Sequence, residues 1–237
     1  MQGILFDLDG TLLDVDVNAF LRRYFRAIQA AVGPRFPGVE FMPSILASTE
    51  AMQSRHSELT NRQAFFRDFL DRTGVDIGEN WGMFEDFYRD VFPTLGEGYG
   101  PAAGAREAVE AARSLGLKVA VATQPIFPRI AIEHRLAWAG MAGDDFDAVT
   151  SYETMHACKP QAAYFRETCA LMGCEPRECL MIGDDRGIDM PAADAGLRTF
   201  YVGRDAEAAA DFRGTLEDVP ALLEQLTRSD TERDRTR

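Results

Sequence analysis

The sequence predicts an α/β fold: a Rossmann-like parallel sheet core with helices on both faces, interrupted near its start by an α-helical insertion. Three observations carry this reading. Short apolar runs at 4–8, 118–122, 146–150, 179–182 and 199–202 have the length of buried strands. Helical patterns at 106–115, 128–139 and 161–172 lie between the later runs, and strands alternating with helices imply right-handed crossovers in a parallel sheet. The stretch 15–92 carries four helical patterns and no convincing strand.

The elements follow in order. Ile4-Leu5-Phe6 reads as a buried strand leading straight into Asp7 and Asp9, two acids on one side of an extended chain. Burying two like charges side by side is costly, so a pair placed there needs a partner. The insertion has helical periodicity at 20–31, 43–55, 61–73 and 79–91. Its aromatics, among them Phe65, Phe66, Phe69, Phe84, Phe87 and Tyr88, read as an internal core. Residues 93–104 are rich in Gly and Pro, and Gly96, Gly98 and Gly100 suggest a hinge back to the sheet. The helix at 106–115 ends at Gly116, the one at 128–139 starts with a proline and stops before Gly140, and the one at 161–172 follows Pro160 and stops at Gly173. The resulting division is a core of 1–14 and 94–228, a helical insertion of 15–93, and a charged, disordered tail of 229–237.

Bulk properties narrow the class. The chain has 237 residues and is 46% hydrophobic, enough for one core domain carrying an insertion. Its net charge of −13 argues against nonspecific binding to nucleic acid or anionic membranes. No apolar run reaches the roughly 20 residues that span a bilayer, and Met1-Gln2-Gly3 shows no signal peptide. A cytoplasmic location is the expectation. Cys158, Cys169, Cys174 and Cys179 form no CxxC pair, so small core hydrophobes are favoured over a zinc site. Lys118 and Lys159 are the two lysines, so a lysine with a specific task is easy to locate.

Polar residues gather after the strands. Asp7, Asp9, Gly10 and Thr11 follow the first, Thr123 and Gln124 the second, Lys159 the third, and Asp184, Asp185 and Asp189 the fourth. In a parallel sheet these ends share one edge, where ligand crevices form. Carboxylates without His or Cys suit a hard cation such as Mg²⁺ with substrate phosphate oxygens. Lys159, the Thr123 hydroxyl and backbone N–H groups would hold an anion. Together they describe a phosphoryl-transfer site.

These residues resemble the four motifs of the haloacid dehalogenase (HAD) superfamily, in order, across residues 4–196. Asp7-Leu8-Asp9-Gly10-Thr11 is similar to its DxDGT motif, Thr123 to the second, Lys159-Pro160 to the third, and Gly183-Asp184-Asp185 with Asp189 to the fourth. The insertion resembles the C1 cap, as in phosphoglycolate phosphatase-like members. The resemblance implies a Mg²⁺-dependent phosphohydrolase acting on a small phosphorylated metabolite. Asp7 would be the nucleophile forming an aspartyl-phosphate. Asp9 would be the general acid and base. Thr123 and Lys159 would neutralise phosphoryl oxygens, and Gly10, Thr11 and Gln124 would contact substrate. Asp7, the Asp9 carbonyl and Asp184 would hold the metal, with Asp185 or Asp189 as an outer contact.

Each assignment has a plainer rival. Asp14 and Asp16 read as solvated positions. Thr123 alone would be a strand-end hydroxyl, Lys159 alone a surface lysine, and Asp189 alone a helix cap. Gln124 stands where the family commonly has Asn, and Ile188 where a polar residue is common. Asp9 argues against dehalogenase chemistry. The lysine-free stretch 15–92 argues against a Schiff-base phosphonate hydrolase. A phosphomutase shares the first motif and is the alternative enzyme; a non-catalytic binding protein on the same scaffold is the alternative outside catalysis. Arg22, Arg23, Arg26, Arg55 and His56 are candidate leaving-group contacts, and a solvated helix face explains such charges equally well. A monomer and a homodimer fit the sequence alike.

Overall fold

Ile4, Leu5 and Phe6 are wholly buried, and the strand they form, β1 (Gly3–Phe6), runs through the middle of the sheet. The chain is a computed structural model that describes residues 1–54 and 58–235. On one side β1 pairs with β4 (Lys118–Val121), and on the other with β6 (Cys179–Gly183), both in parallel. Beyond them lie β5 (Ala148–Val149), β7 (Arg198–Tyr201) and β8 (Phe212–Arg213), in the order β5-β4-β1-β6-β7-β8. Strands flanked by apolar layers on both faces read as continuous hydrophobic runs, which is why they were legible. β8 was not expected. It has two residues and one partly buried aromatic, too short for a pattern.

The register aligns the strand ends. Phe6 lies level with Val121 on one side and with Ile182 on the other. Asp7 N–H donates to the Ile182 carbonyl (2.9 Å), and Ala122 N–H to the Phe6 carbonyl (2.7 Å). The residues that follow therefore emerge together at one edge.

Three helices connect these strands: α5 (Ala105–Ser114), α6 (Arg129–Trp138) and α7 (Ala162–Leu171). Each begins and ends within a residue or two of the expected helix. α8 (Val219–Arg235) closes the described chain and packs its start on α5. Cys169, Cys174 and Cys179 lie in the apolar layer under α7, and Cys158 is buried beside Asn61.

The helical insertion leaves and rejoins the sheet through a short antiparallel ribbon, β2 (Leu13–Asp14) with β3 (Gly100–Pro101). Gly100 is thus paired with Asp14, Gly98 takes a φ of +88°, and Gly96 packs against Trp138. Between β2 and β3 run α1 (Val17–Ala31), α2 (Phe41–Gln53), α3 (Asn61–Thr73) and α4 (Trp81–Asp86). The expected helix over 79–91 is α4 followed by a wider π turn at Phe87–Val91, with Pro93 just beyond. Asp16 is the N-cap of α1, accepting from Ala19 N–H at 2.9 Å. Phe20, Tyr24, Phe69, Phe84, Phe87 and Tyr88 are buried in one aromatic core that continues into Phe127 of the sheet domain.

Asn61 fastens the insertion to the core. Its N–H donates to the Met155 carbonyl (2.7 Å), and its side-chain amide lies 3.2 Å from the carbonyls of both Pro125 and Ala157. It is buried, so losing the amide leaves those acceptors unpaired in a dry place. Asn61→Ala is expected to lower the unfolding free energy by about 1–3 kcal/mol, read from urea denaturation. An unchanged midpoint would mean that docking rests on the backbone bond to Met155 and the aromatic contacts.

Candidate active site

The loop after β1 makes a tight turn. Gly10 N–H donates to the Leu13 carbonyl (2.9 Å), and Leu13 N–H to the Leu8 carbonyl (2.8 Å). Gly10 has a φ of +88°, a region side chains rarely enter. A Cβ there would also strike the Asp184 carboxylate. The glycine therefore makes the turn and admits Asp184 from the next strand. Thr11, buried, donates its hydroxyl to Asp184 Oδ1 at 3.1 Å.

Lys159 lies at the centre. Its side chain is fully buried, and Nζ donates to Asp7 Oδ1 (2.7 Å) and Asp189 Oδ1 (2.6 Å). Asp189 is itself buried; its other oxygen accepts from Asp185 N–H at 3.1 Å. It approaches closely because Gly183 has no Cβ to obstruct it. One carboxylate oxygen from each of Asp7, Asp184 and Asp189 falls within 4.8 Å of the others. This all-oxygen donor set suits a hard divalent cation.

The structure brings Asp7, Asp9, Thr11, Thr123, Lys159, Asp184 and Asp189 to one edge. It separates Asp185, whose exposed side chain accepts from Gly187 N–H (2.7 Å) and Ile188 N–H (3.0 Å) and so builds the turn. Gln124 reaches across instead of outward. Its Oε1 accepts from Lys159 N–H (2.9 Å), and its Nε2 donates to the Lys159 carbonyl (3.1 Å). The glutamine length is what lets one side chain clasp both groups of the peptide. Thr123 is buried, and its carbonyl accepts from Tyr164 Oη (2.8 Å) and Thr150 Oγ1 (3.1 Å). Arg22, Arg23 and Arg26 lie on the exposed face of α1, with Arg23 donating to the Glu97 carbonyl (3.1 Å). Arg55 and His56 lie outside the described residues.

Two side chains were missed. Tyr164 lies beneath Lys159, whose Nζ is 5.9 Å from the ring centre. Arg135, on α6, is 2% exposed and donates through Nη1 to Asp9 Oδ2. A signal existed for it. The inward face of α6 is Ala131, Ile132, Arg135 and Leu136, and an arginine in an apolar stripe needs a buried acceptor.

Electrostatics follow from burial and crowding. Burial and the neighbouring Asp7 charge push Asp184 up to about 6, against the Thr11 hydrogen bond. Burial also raises Asp189, opposed by Lys159. Burial pulls Lys159 down, but Asp189 and Asp7 outweigh it, so its ammonium is held charged far above neutral pH. Asp9 is raised by burial, with Arg135 opposing and the Asp7 charge adding to the rise.

A parallel α/β sheet with acids, a buried lysine and a threonine at its carboxyl edge defines a Rossmann-like α/β protein with a charged site at its strand ends. The profile of the haloacid dehalogenase-like hydrolases matches residues 1–196, and the chain belongs to that family. Among known proteins it is similar to SUPPRESSOR OF QUENCHING 1, chloroplastic, of Arabidopsis thaliana, at 31% identity over 85% of this chain. The matched part spans 18% of that relative's length. It is also 22% identical to pyrophosphatase PpaX of Bacillus velezensis, over 84% of this chain and 82% of the relative. A HAD phosphatase structure from Thermococcus onnurineus superposes with a TM-score of 0.59 at 22% identity, covering 94% of this chain and 98% of that one, a likeness of fold. No helix among the described residues is long and apolar enough to cross a membrane.

Asp184 supplies a pH test. Its folded pKa lies above the ordinary 3.8, so its contribution to stability is full below about pH 3.8 and is lost as pH rises through about 6. In chelator, Asp184→Asn should gain on the wild type by roughly 2–3 kcal/mol between those limits. Equal pH slopes in thermal melts of the two proteins would refute the assignment.

Proposed function

We propose that this hydrolase is a Mg²⁺-dependent phosphohydrolase that cleaves a small phosphomonoester through an aspartyl-phosphate on Asp7. The observation that carries the reading is the Lys159 ammonium bonded to Asp7 and Asp189, with the Asp184 carboxylate beside them and Asp9 two residues on. This is a nucleophile held in one orientation, next to positive charge for an anionic substrate and a donor set for a cation.

Asp7, the Asp9 carbonyl and Asp184 would hold Mg²⁺, which neutralises phosphoryl charge when bound. The oxygen-only donors and the crowding of like charge that raises Asp184 fit such an ion. Lys159 fixes the Asp7 rotamer and presents a second positive charge to the phosphoryl oxygens. Asp7 attacks phosphorus; the bond to the ester oxygen breaks, and Asp9 gives its proton to that oxygen, releasing the alcohol. Asp9 then takes a proton from water as the water attacks phosphorus. The bond to Asp7 breaks, and inorganic phosphate leaves.

Asp9 supports hydrolysis over dehalogenase chemistry, which has no leaving oxygen to protonate. The insertion, whose aromatic core continues into Phe127 of the sheet domain, supports a capped site that would exclude water between the two steps. Asp189 reads as the residue that orients Lys159, and Gln124 as one that anchors the Lys159 backbone.

The test is release of 4-nitrophenol from 4-nitrophenyl phosphate. Turnover should require Mg²⁺ and disappear in EDTA. Asp7→Asn should lose at least ~10³-fold, since the nucleophile and its charge vanish together. Activity in EDTA equal to that in Mg²⁺, or an Asp7→Asn variant as fast as wild type, would overturn the proposal.

A further inference from the structure

Among the described residues, Arg135 is the one buried cation near the site that the mechanism above does not use. It comes from α6, outside the four motif loops, and its side chain is 2% exposed. Burying a guanidinium without full pairing is costly. Yet only Nη1 has a partner, Asp9 Oδ2, while Nε and Nη2 are buried without one. The opposite carboxylate oxygen, Asp9 Oδ1, is likewise buried and unpartnered. The guanidinium cannot swing away freely. Its carbon lies 4.7 Å from the centre of the Phe127 ring and 5.9 Å from that of Phe20, one ring from the sheet domain and one from α1.

The two oxygens of Asp9 are therefore made unequal. Oδ2 is tethered by an arginine that is itself clamped between rings. Oδ1 is buried and bonds nothing in the protein, an acceptor left for a ligand's hydrogen-bond donor to satisfy. A general acid needs just this: one oxygen fixed to set the plane of the carboxyl group, the other free to carry the proton. Arg135 cannot be replaced in kind by a shorter cation, because its reach from α6 and its planar fork set the direction of the bond.

We propose that Arg135 is a positioning residue for Asp9, holding Oδ2 so that Oδ1 is the atom that passes the proton to the leaving-group oxygen. This rests on the assignment of Asp9 as the acid in the phosphohydrolase reading. Arg135 acts through Asp9 and touches neither phosphorus nor metal. Its contribution falls on bond cleavage to the ester oxygen, and it grows as the leaving group becomes more basic and needs the proton more.

The experiment is a leaving-group series: kcat/KM in Mg²⁺ for aryl phosphates whose phenols span a range of pKa, from 4-nitrophenol upward. It is run on wild type, Asp9→Asn, Arg135→Met, Arg135→Lys and the Asp9→Asn/Arg135→Met double variant. The wild type should show a shallow dependence on phenol pKa and Asp9→Asn a steep one. Arg135→Met should turn steep as well, losing about 10²-fold on the most basic phenol and much less on 4-nitrophenol. Arg135→Lys should lie between. In the double variant Arg135→Met should add little to the loss from Asp9→Asn, because the group it positions is gone.

An Arg135→Met protein with the wild-type slope and a uniform loss would overturn the inference, as would a full additive loss in the double variant; both describe a residue that only supports the fold. Should Arg135→Met not fold, Arg135→Lys decides by the same slope: steeper than wild type supports the proposal, unchanged overturns it. A shallow Asp9→Asn slope would instead overturn the acid role of Asp9, a failure of the underlying reading that is distinct from a failure of Arg135.

Discussion

Everything at the sheet edge depends on one ammonium group. Lys159 Nζ, with no exposure to solvent, accounts for two carboxylates that could not otherwise share so small a space. Asp7 and Asp189 each lose hydration there, and each oxygen bonded to Lys159 recovers part of it through a short charge-assisted bond. Removing the lysine would leave two buried charges facing one another, the situation in which broken buried pairs cost about 3–5 kcal/mol. The net charge of −13 sharpens the point. In an acidic protein an anionic substrate needs positive charge that is local, fixed and dry, since the field of the whole chain repels it.

Fixing that charge takes support from several loops at once. The parallel register brings Phe6, Val121 and Ile182 level, so their following loops start from a common line. Gly10 and Gly183 then let Asp184 and Asp189 come closer than any side chain at those positions would permit. Gln124 joins the second loop to the third by gripping the Lys159 peptide, and Tyr164 ties the Thr123 carbonyl to α7. Loops from four different strands are thereby held as one surface. Preorganisation of this kind is what electrostatic catalysis requires.

How much of this could be read in advance follows from the range of each interaction. The strands were legible because burial on both faces writes a continuous apolar run, and α5, α6 and α7 because Gly or Pro marks their ends. Asp7, Asp9 and Asp184 stood out because acids directly after apolar runs have no easy structural purpose, and Lys159 because it is one of two lysines and lies in the loop that follows the third run. Gln124 was noticed only as a departure, since its clasp on Lys159 spans 35 residues and leaves no local pattern. Asp185 looked equivalent to Asp189 in sequence. A four-residue difference in a turn points one outward to backbone N–H groups and the other inward to the lysine. β8 and the π turn were invisible because two residues carry no period and a widened turn keeps the same apolar face. Arg135 left a trace, a charge in the apolar stripe of α6, but its partner lies 126 residues away.

Among the described residues four charged side chains are buried: Asp7, Arg135, Lys159 and Asp189. All four belong to this one site. Buried charge is expensive wherever it occurs, and a fold selected for stability alone would replace it with apolar side chains of similar volume. Its confinement here therefore marks where the fold accepts instability for chemistry. The pairing is also orderly. Lys159 pairs with Asp7, the nucleophile of the proposed reaction, and Arg135 pairs with Asp9, its proposed acid and base. The distinction between two acids two residues apart is thus imposed by two cations from different parts of the sheet domain, Lys159 from the loop after β5 and Arg135 from α6. The second is packed against a ring of the helical insertion, Phe20, so the insertion bears directly on the cation that pairs with Asp9.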